Sequence, residues 1–297
     1  MDTARSIRLP DFIAVGPPRT ATTWLNRVLR RRVGLPLNVK ETHFFSRNYR
    51  RGLTWYEGHF RHCANEPVVG EICPAYFLKV QSRERISMHI PRCRIVITLR
   101  DPVERLYSFY KLRRRSGLVE AGFADFSSDT AQVLSFSSYA NHVRDWQTKF
   151  GGQNVLVVIN DDLEEDSQAY LDNITDFIGI GRIDIGAERA RDKINTIEVS
   201  PRSARLARTG RQLRNWLGSR RMYRTRRWLD KAGVWRFCFE GGPAFSPLDP
   251  SVKRRLRDLL RPEIDSLEDL LERDLSRWKN ATSQSPELAT PEITESQ

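Results

Sequence analysis

Residues 11–25 read DFIAVGPPRTATTWL, and the fold class follows from how that stretch is parsed. Phe12 to Val15 is a short unbroken apolar run of the kind a buried strand shows. Gly16-Pro17-Pro18 cannot continue it, because proline withholds a ladder donor and fixes φ. Arg19 and the hydroxyl-rich run Thr20-Ala21-Thr22-Thr23 come next, and Trp24 to Leu29 has helical spacing. The order is strand, tight turn, helix. Such a turn aims unpaired backbone N–H groups and the positive end of a helix dipole at one point, where a phosphate is the usual occupant. Against the triphosphate loop G-x-x-x-x-G-K-[ST], Gly16 and Thr23 match, but Ala21 replaces the second glycine and Thr22 the lysine. The stretch therefore reads as a phosphate grip without NTP hydrolysis. A P-loop-type nucleotide kinase is the rival enzyme.

The same alternation continues outward. Val68 to Ile72 reads as a second buried strand closed by Cys73-Pro74, with Glu71 a charge that must be paired or functional. Ser82 to His89 is a short helix and Arg94 to Leu99 a central strand. Asp101 then caps, and Pro102 opens, a helix through Tyr110. Gly117 to Ser128 is a loop. Ser137 to Phe150 is a helix with Tyr139, Val143, Trp146 and Phe150 as its core stripe. Asn154 to Ile159 is the last clear strand, and Asp161-Asp162 leads into a helix ending at Gly179. Strands alternating with helices argue an α/β fold, a central parallel sheet flanked by helices. Ser251 to Trp278 is an amphipathic helix that Pro262 should divide in two. One domain is expected over residues 1–280, followed by a Ser-, Thr-, Pro- and Glu-rich disordered tail over 281–297.

The chain of 297 residues carries a net charge of +12, which suits anionic ligands such as phosphate, sulfate, nucleic acid or an acidic polymer. The four cysteines show no CxxC spacing, which argues against a zinc or redox pair and for reduced core thiols. The first ten residues lack an apolar signal region and no run of 18 apolar residues exists. The expectation is a cytoplasmic protein without a transmembrane segment.

Three further groups are candidates for chemistry. In KETHFF, residues 40–45, an extended backbone would put Glu41 and His43 on one face, a pairing suited to proton transfer. Arg100 ends a central strand at the edge where open α/β sheets bind ligands, with Ser108 able to face the same crevice. Arg202, Arg205, Arg208, Arg211 and Arg214 recur every three residues. They form either a nucleic-acid-binding stripe across the Arg-rich 202–227 segment or one face of a helix packed through Leu206, Leu213, Trp216 and Leu217.

Together these pieces resemble the sulfotransferases that use 3′-phosphoadenosine 5′-phosphosulfate (PAPS), and within them the heparan sulfate N- and 3-O-sulfotransferase-like branch. FIAVGPPRTATTWL is similar to the family's 5′-phosphosulfate loop and RIVITLRDPVERLYSFY to its 3′-phosphate segment. KETHFF, NYRRGLTWYEGHF and GEICPAYF are similar to motifs of the heparan sulfate branch. The resemblance implies that Pro18, Arg19, Thr20, Ala21, Thr22, Thr23 and Trp24 hold the 5′ end of PAPS, with Arg19 on the bridging oxygen. It implies that Arg100 and Ser108 bind the 3′-phosphate, that Arg202 is a further cofactor-binding residue at the cleft, and that Glu41 is the base with His43 beside it. The sulfuryl group would pass to a hydroxyl or amine of a carbohydrate or small metabolite, with no metal and no nucleic acid involved. Two departures stand out. Ile72-Cys73 occupies the family's Lys-Ser slot, and the loop from Cys238 to Phe245 lacks the branch's cysteine pair and lysine. They imply a soluble, bacterial-style relative acting on an acceptor smaller than heparan.

Overall fold

Phe12–Val15 (β1) is wholly buried, as a strand apolar on both faces must be. A computed structural model describes residues 8–63, 65–186, 197–220 and 222–280. In it, β1 lies inside a four-stranded parallel sheet of order β2-β1-β3-β4, with Gly70–Ile72 as β2, Arg94–Leu99 as β3 and Val155–Ile159 as β4. Ile13 faces Glu71 on one side and Ile95 on the other. The chain leaves β1 for one neighbour and then crosses to the other. The carboxyl end of the β1–β3 pair is therefore the topological switch point, where an α/β sheet opens a crevice.

Alternation along the strands divides the core into two layers. Phe12, Ala14 and Val96 pack on Trp24, Leu25, Val28 and Leu29 of α1 (Thr22–Leu29) and on the Ser167–Ile178 helix. Ile13, Val15, Ile95 and Ile97 pack on Val143 and Trp146 of the Tyr139–Phe150 helix and on Leu256, Leu260 and Ile264. Beyond the sheet, Val199–Pro201 (β5) and Gly241–Ala244 (β6) form an antiparallel ribbon. Helices Ala204–Ser219, Tyr223–Lys231 and Val234–Phe239 lie between those two strands in the chain and share a small core of Ala207, Leu217, Trp235 and Phe239.

Several expectations change. The 40–45 segment is loop and turn rather than strand, and His43 has φ +51°. Pro262 does not divide its helix: Pro250–Leu271 runs through it. Pro262 lies on the exposed face, where water can take the carbonyl that loses its partner. The buried stripe Leu256, Leu260, Ile264 and Leu267 holds the two turns in line. The 117–128 loop contains a short helix, Phe123–Phe126, and Ser138 separates Thr130–Ser137 from the helix that begins at Tyr139. Asp161-Asp162 sits in its own short helix, Asn160–Glu165, and Asp166 caps the next by accepting from the N–H groups of Gln168 and Ala169. The four cysteines are buried free thiols, as expected. The 281–297 tail lies outside the described residues.

Candidate active site

The turn after β1 is built around two close approaches. Gly16 has φ +140°, and a Cβ there would lie 2.3 Å from the Thr98 carbonyl oxygen of β3, so only glycine lets the turn pass. The Thr20 hydroxyl donates to the Pro17 carbonyl (2.9 Å) and lies 2.7 Å from the Thr98 hydroxyl. Arg19 and Ala21 both take positive φ, +82° and +54°, a conformation that side chains resist and that a loop keeps only when its surroundings hold it there. Ala21 occupies the N-cap of α1 without a capping side chain, so the first N–H groups of the helix face the turn.

Cations converge on this turn. Arg19 donates from Nε to Ser108 Oγ at 2.8 Å, which ties the loop to the Pro102–Arg115 helix. Burial, reinforced by the charges of Arg100 and Arg115, lowers the Arg19 guanidinium to about 10. Lys111 is lowered as well, by burial and by the neighbouring charges of Arg100 and Arg19. A group of like charges that depress one another is poised for an anion. Arg100 keeps its charge available. Asp101 caps the following helix and pairs with Arg257 at 3.0 Å, and Glu104 pairs with Lys253 at 3.1 Å. The Arg100 side chain itself makes no hydrogen bond or ion pair among the described residues.

Lys40 is the group that sequence reading left without a role. Its Nζ donates to Thr22 Oγ1 and Thr23 Oγ1, both at 3.1 Å, and to Glu41 Oε1 at 3.3 Å. An ammonium thus reaches the loop from another segment. The available signal was its position next to Glu41. Lys111 and Arg115 were also missed, although they follow Ser108 at i+3 and i+7 and so share its helical face.

Glu41 Oε2 lies 3.4 Å from His43 Nε2, and His43 Nδ1 lies 3.7 Å from Cys73 Sγ. The expected pairing of Glu41 with His43 is therefore present, produced by a turn instead of a strand. Burial, then the charge of Arg47, pushes His43 below its ordinary range, so it is neutral near pH 7. Burial pushes the Cys73 thiol well up, so it keeps its proton. Behind this segment Glu71 is fully buried. It accepts from the Thr42 N–H (2.9 Å), the Thr42 hydroxyl (2.6 Å), Tyr56 (2.7 Å) and Tyr76 (3.2 Å). Thr42 stands between Glu41 and His43, so this clamp fixes where both point.

Other predicted site residues contribute differently. Thr20 and Trp24 turn their side chains inward, and Trp24 packs edge-on against Tyr170 at 6.0 Å, so only their backbones can face a ligand. Pro18 has no N–H to give. Arg202 lies beside the β5–β6 ribbon with its guanidinium over the Phe237 ring (5.7 Å). The arginine stripe is shared out. Arg208 pairs with Glu120 at 3.1 Å, while Arg211 and Arg214 face a cleft of about 780 Å³. Glu41 and His43 line the same cleft. Among the described residues, its wall carries Lys40 and seven arginines against Glu41 and Asp230.

The sulfotransferase domain family matches residues 9–200. The chain is similar to human heparan sulfate glucosamine 3-O-sulfotransferase 3B1, with 29% identity over 187 residues, covering 60% of this chain and 48% of the relative. It is also similar to human bifunctional heparan sulfate N-deacetylase/N-sulfotransferase 3, with 26% identity over 196 residues, covering 58% of this chain and 22% of the relative. The matches thus span about half or less of those relatives. A sulfotransferase from Alicyclobacillus acidocaldarius shares the fold, with a TM-score of 0.67 and 19% identity over 92% of this chain and 100% of that one. The matched span holds the turn after β1, the Lys40–His43 segment and the Arg100–Ser108 segment, and the chain belongs to the sulfotransferase domain family.

Proposed function

We propose that this protein transfers a sulfuryl group from PAPS to a hydroxyl or amine of a small or carbohydrate acceptor that itself carries negative charge. The observation that carries the reading is Lys40, whose ammonium touches Thr22 and Thr23 of the phosphate turn and Glu41 at once. An anion held at the turn and a base acting on an acceptor then stand side by side, as in-line transfer requires. The uncapped start of α1, with Thr22 and Thr23, suits the 5′-phosphate, and Arg100 with Ser108 suits the 3′-phosphate. PAPS supplies the activated sulfuryl group when bound.

The residues divide the work by charge. Arg19 and Lys40 offset the negative charge that grows on the leaving phosphate, an electrostatic role for which Arg19 is suited because it does not give up its proton. Glu41 accepts the proton of the acceptor hydroxyl or amine. His43 is neutral, with Nδ1 turned to the protonated Cys73 thiol, so its Nε2 proton is the one that faces Glu41 and orients the carboxylate. The arginines of the cleft wall favour an acceptor bearing carboxylate, phosphate or sulfate groups.

The test is sulfuryl transfer from PAPS to a panel of charged and neutral sugars, phenols and amines, run with Glu41→Gln and His43→Asn. Glu41→Gln is expected to keep nucleotide binding and lose roughly 10²–10⁴-fold in rate. His43→Asn, which still offers an N–H donor, is expected to lose far less. The reverse pattern would exchange the two roles, and a preference for neutral acceptors would contradict the reading of the cleft.

A further inference from the structure

We propose that Glu41, His43 and Cys73 form a site for a thiophilic divalent cation such as zinc, and that filling it withdraws Glu41 from proton transfer. The first half stands on geometry alone, and the second rests on the base assignment above. A carboxylate, an imidazole and a thiol each present one donor atom here, all within 4.8 Å of one another. Cys73 Sγ and His43 Nδ1 are 3.7 Å apart. A sulfur at about 2.3 Å and a nitrogen at about 2.0 Å from one tetrahedral zinc lie about 3.5 Å from each other. Those two ligands are therefore already at the spacing one metal requires, and Glu41 is the one that must turn.

The scaffold fixes the first two. Cys73 directly follows β2, its N–H donating to the Ala14 carbonyl at 2.9 Å, and His43 is held in a positive-φ turn. Glu41 and His43 line the cleft, which gives a cation its way in. On binding, Cys73 releases its thiol proton to solvent and binds as thiolate. His43 gives its Nδ1 lone pair and keeps the Nε2 proton, and Glu41 gives one oxygen. Thiolate and carboxylate together neutralise the dication, and the fourth position remains for water. Lys40, Arg47 and Lys79 surround the imidazole and oppose any cation that gains no bond to sulfur. The site should therefore select zinc, cadmium or cobalt over magnesium and calcium. Cysteine spacing in the sequence offers no such site, because its ligands come from segments about thirty residues apart.

Cobalt reports the site directly. The reduced full chain, free of nucleotide because phosphates chelate metals, is titrated with Co²⁺ and followed by near-ultraviolet absorption. The expected result is a saturable one-to-one thiolate-to-cobalt band that Zn²⁺ displaces and Mg²⁺ does not. Cys73→Ser should abolish the band, and His43→Asn, which spares the buried thiol, should weaken affinity by about tenfold or more. Cys63 is the internal control, since its Sγ lies 3.2 Å from His62 Nε2. Cys63→Ser should leave the band intact. No thiolate band at saturation, a band that survives Cys73→Ser, or one lost with Cys63→Ser would overturn the site. In the transfer assay, Zn²⁺ buffered to a free concentration that fills the site should lower the rate of the unaltered chain but not that of Cys73→Ser, each compared with itself without metal. Zinc bound without loss of transfer would overturn the second half. A chain that transfers nothing to any acceptor still shows or lacks the cobalt band, so the two proposals fail separately.

Discussion

Lys40, Glu41 and His43 occupy four consecutive positions with Thr42, and each faces a different part of the site: the phosphate turn, the cleft and Cys73. Their order was plain in KETHFF, but their geometry was not, because no periodicity describes a turn held by a buried carboxylate thirty residues away. Glu71 could be read as paired or functional from its place in an apolar run. That it clamps Thr42 required the fold. His43 also gives a pH prediction. Burial lowers it from an ordinary value of 6.5, and His142 is lowered for the same reason. The unfolded chain then binds more protons than the folded one below that value. The contribution of these histidines is thus fully present above about pH 6.5 and is lost as the pH falls towards their folded values. Buried Asp101, raised to about 6, and Glu71, also raised by burial, slope the other way, so the test is a difference: in denaturant unfolding from pH 8 to 5, the unaltered chain should lose more stability, or gain less, on the acid side than His43→Asn. Equal pH dependence in the two chains would show that His43 binds its proton equally well folded and unfolded.

Elements with an uninterrupted apolar run or a clean stripe were legible in advance: β1, β3, β4, α1 and the core face of the Tyr139–Phe150 helix. Elements whose course depends on packing were not, and Pro262 is the clearest case. A continuous buried stripe on both sides of an exposed proline outweighs the one hydrogen bond it deletes. Pro262→Ala should therefore raise stability by about 1–3 kcal/mol, measured as a higher unfolding midpoint. A lower midpoint would mean that the helix needs the bend. The turn after β1 gives the opposite prediction. Gly16→Ala drives a Cβ into the Thr98 backbone, which cannot yield without separating β1 from β3. Gly233, also at positive φ but in the left-handed helical region (φ +74°, ψ +8°), has nothing within 4 Å, so Gly233→Ala carries only the conformational cost of about 1–2 kcal/mol. Gly16→Ala should cost clearly more in thermal stability. Equal losses would show that the turn is not pinned against β3.

At the scale of the whole molecule, the sheet order β2-β1-β3-β4 brings the turn at residues 16–23 and the segment at 100–108 to one switch point, and a net charge of +12 biases the cleft towards anions. The alternation of elements in the sequence announced the parallel sheet, while the place where the cations meet follows only from strand order. The arginine stripe shows the difference: its spacing fitted a free basic face, yet Arg208 pairs with Glu120 while Arg211 and Arg214 face the cleft. The central claim is that one nucleotide bridges the two segments, its 5′-phosphate at the turn and its 3′-phosphate at Arg100. The most direct measurement is calorimetric titration with adenosine 3′,5′-bisphosphate and with adenosine 5′-phosphate, on the unaltered chain and on Arg100→Ala. Tight binding of the bisphosphate is predicted, with the monophosphate weaker by about tenfold or more, and Arg100→Ala should erase most of that difference, as a lost charge-assisted contact of roughly 1.5–3 kcal/mol requires. Equal affinity for the two nucleotides, or a preference untouched by Arg100→Ala, would contradict it.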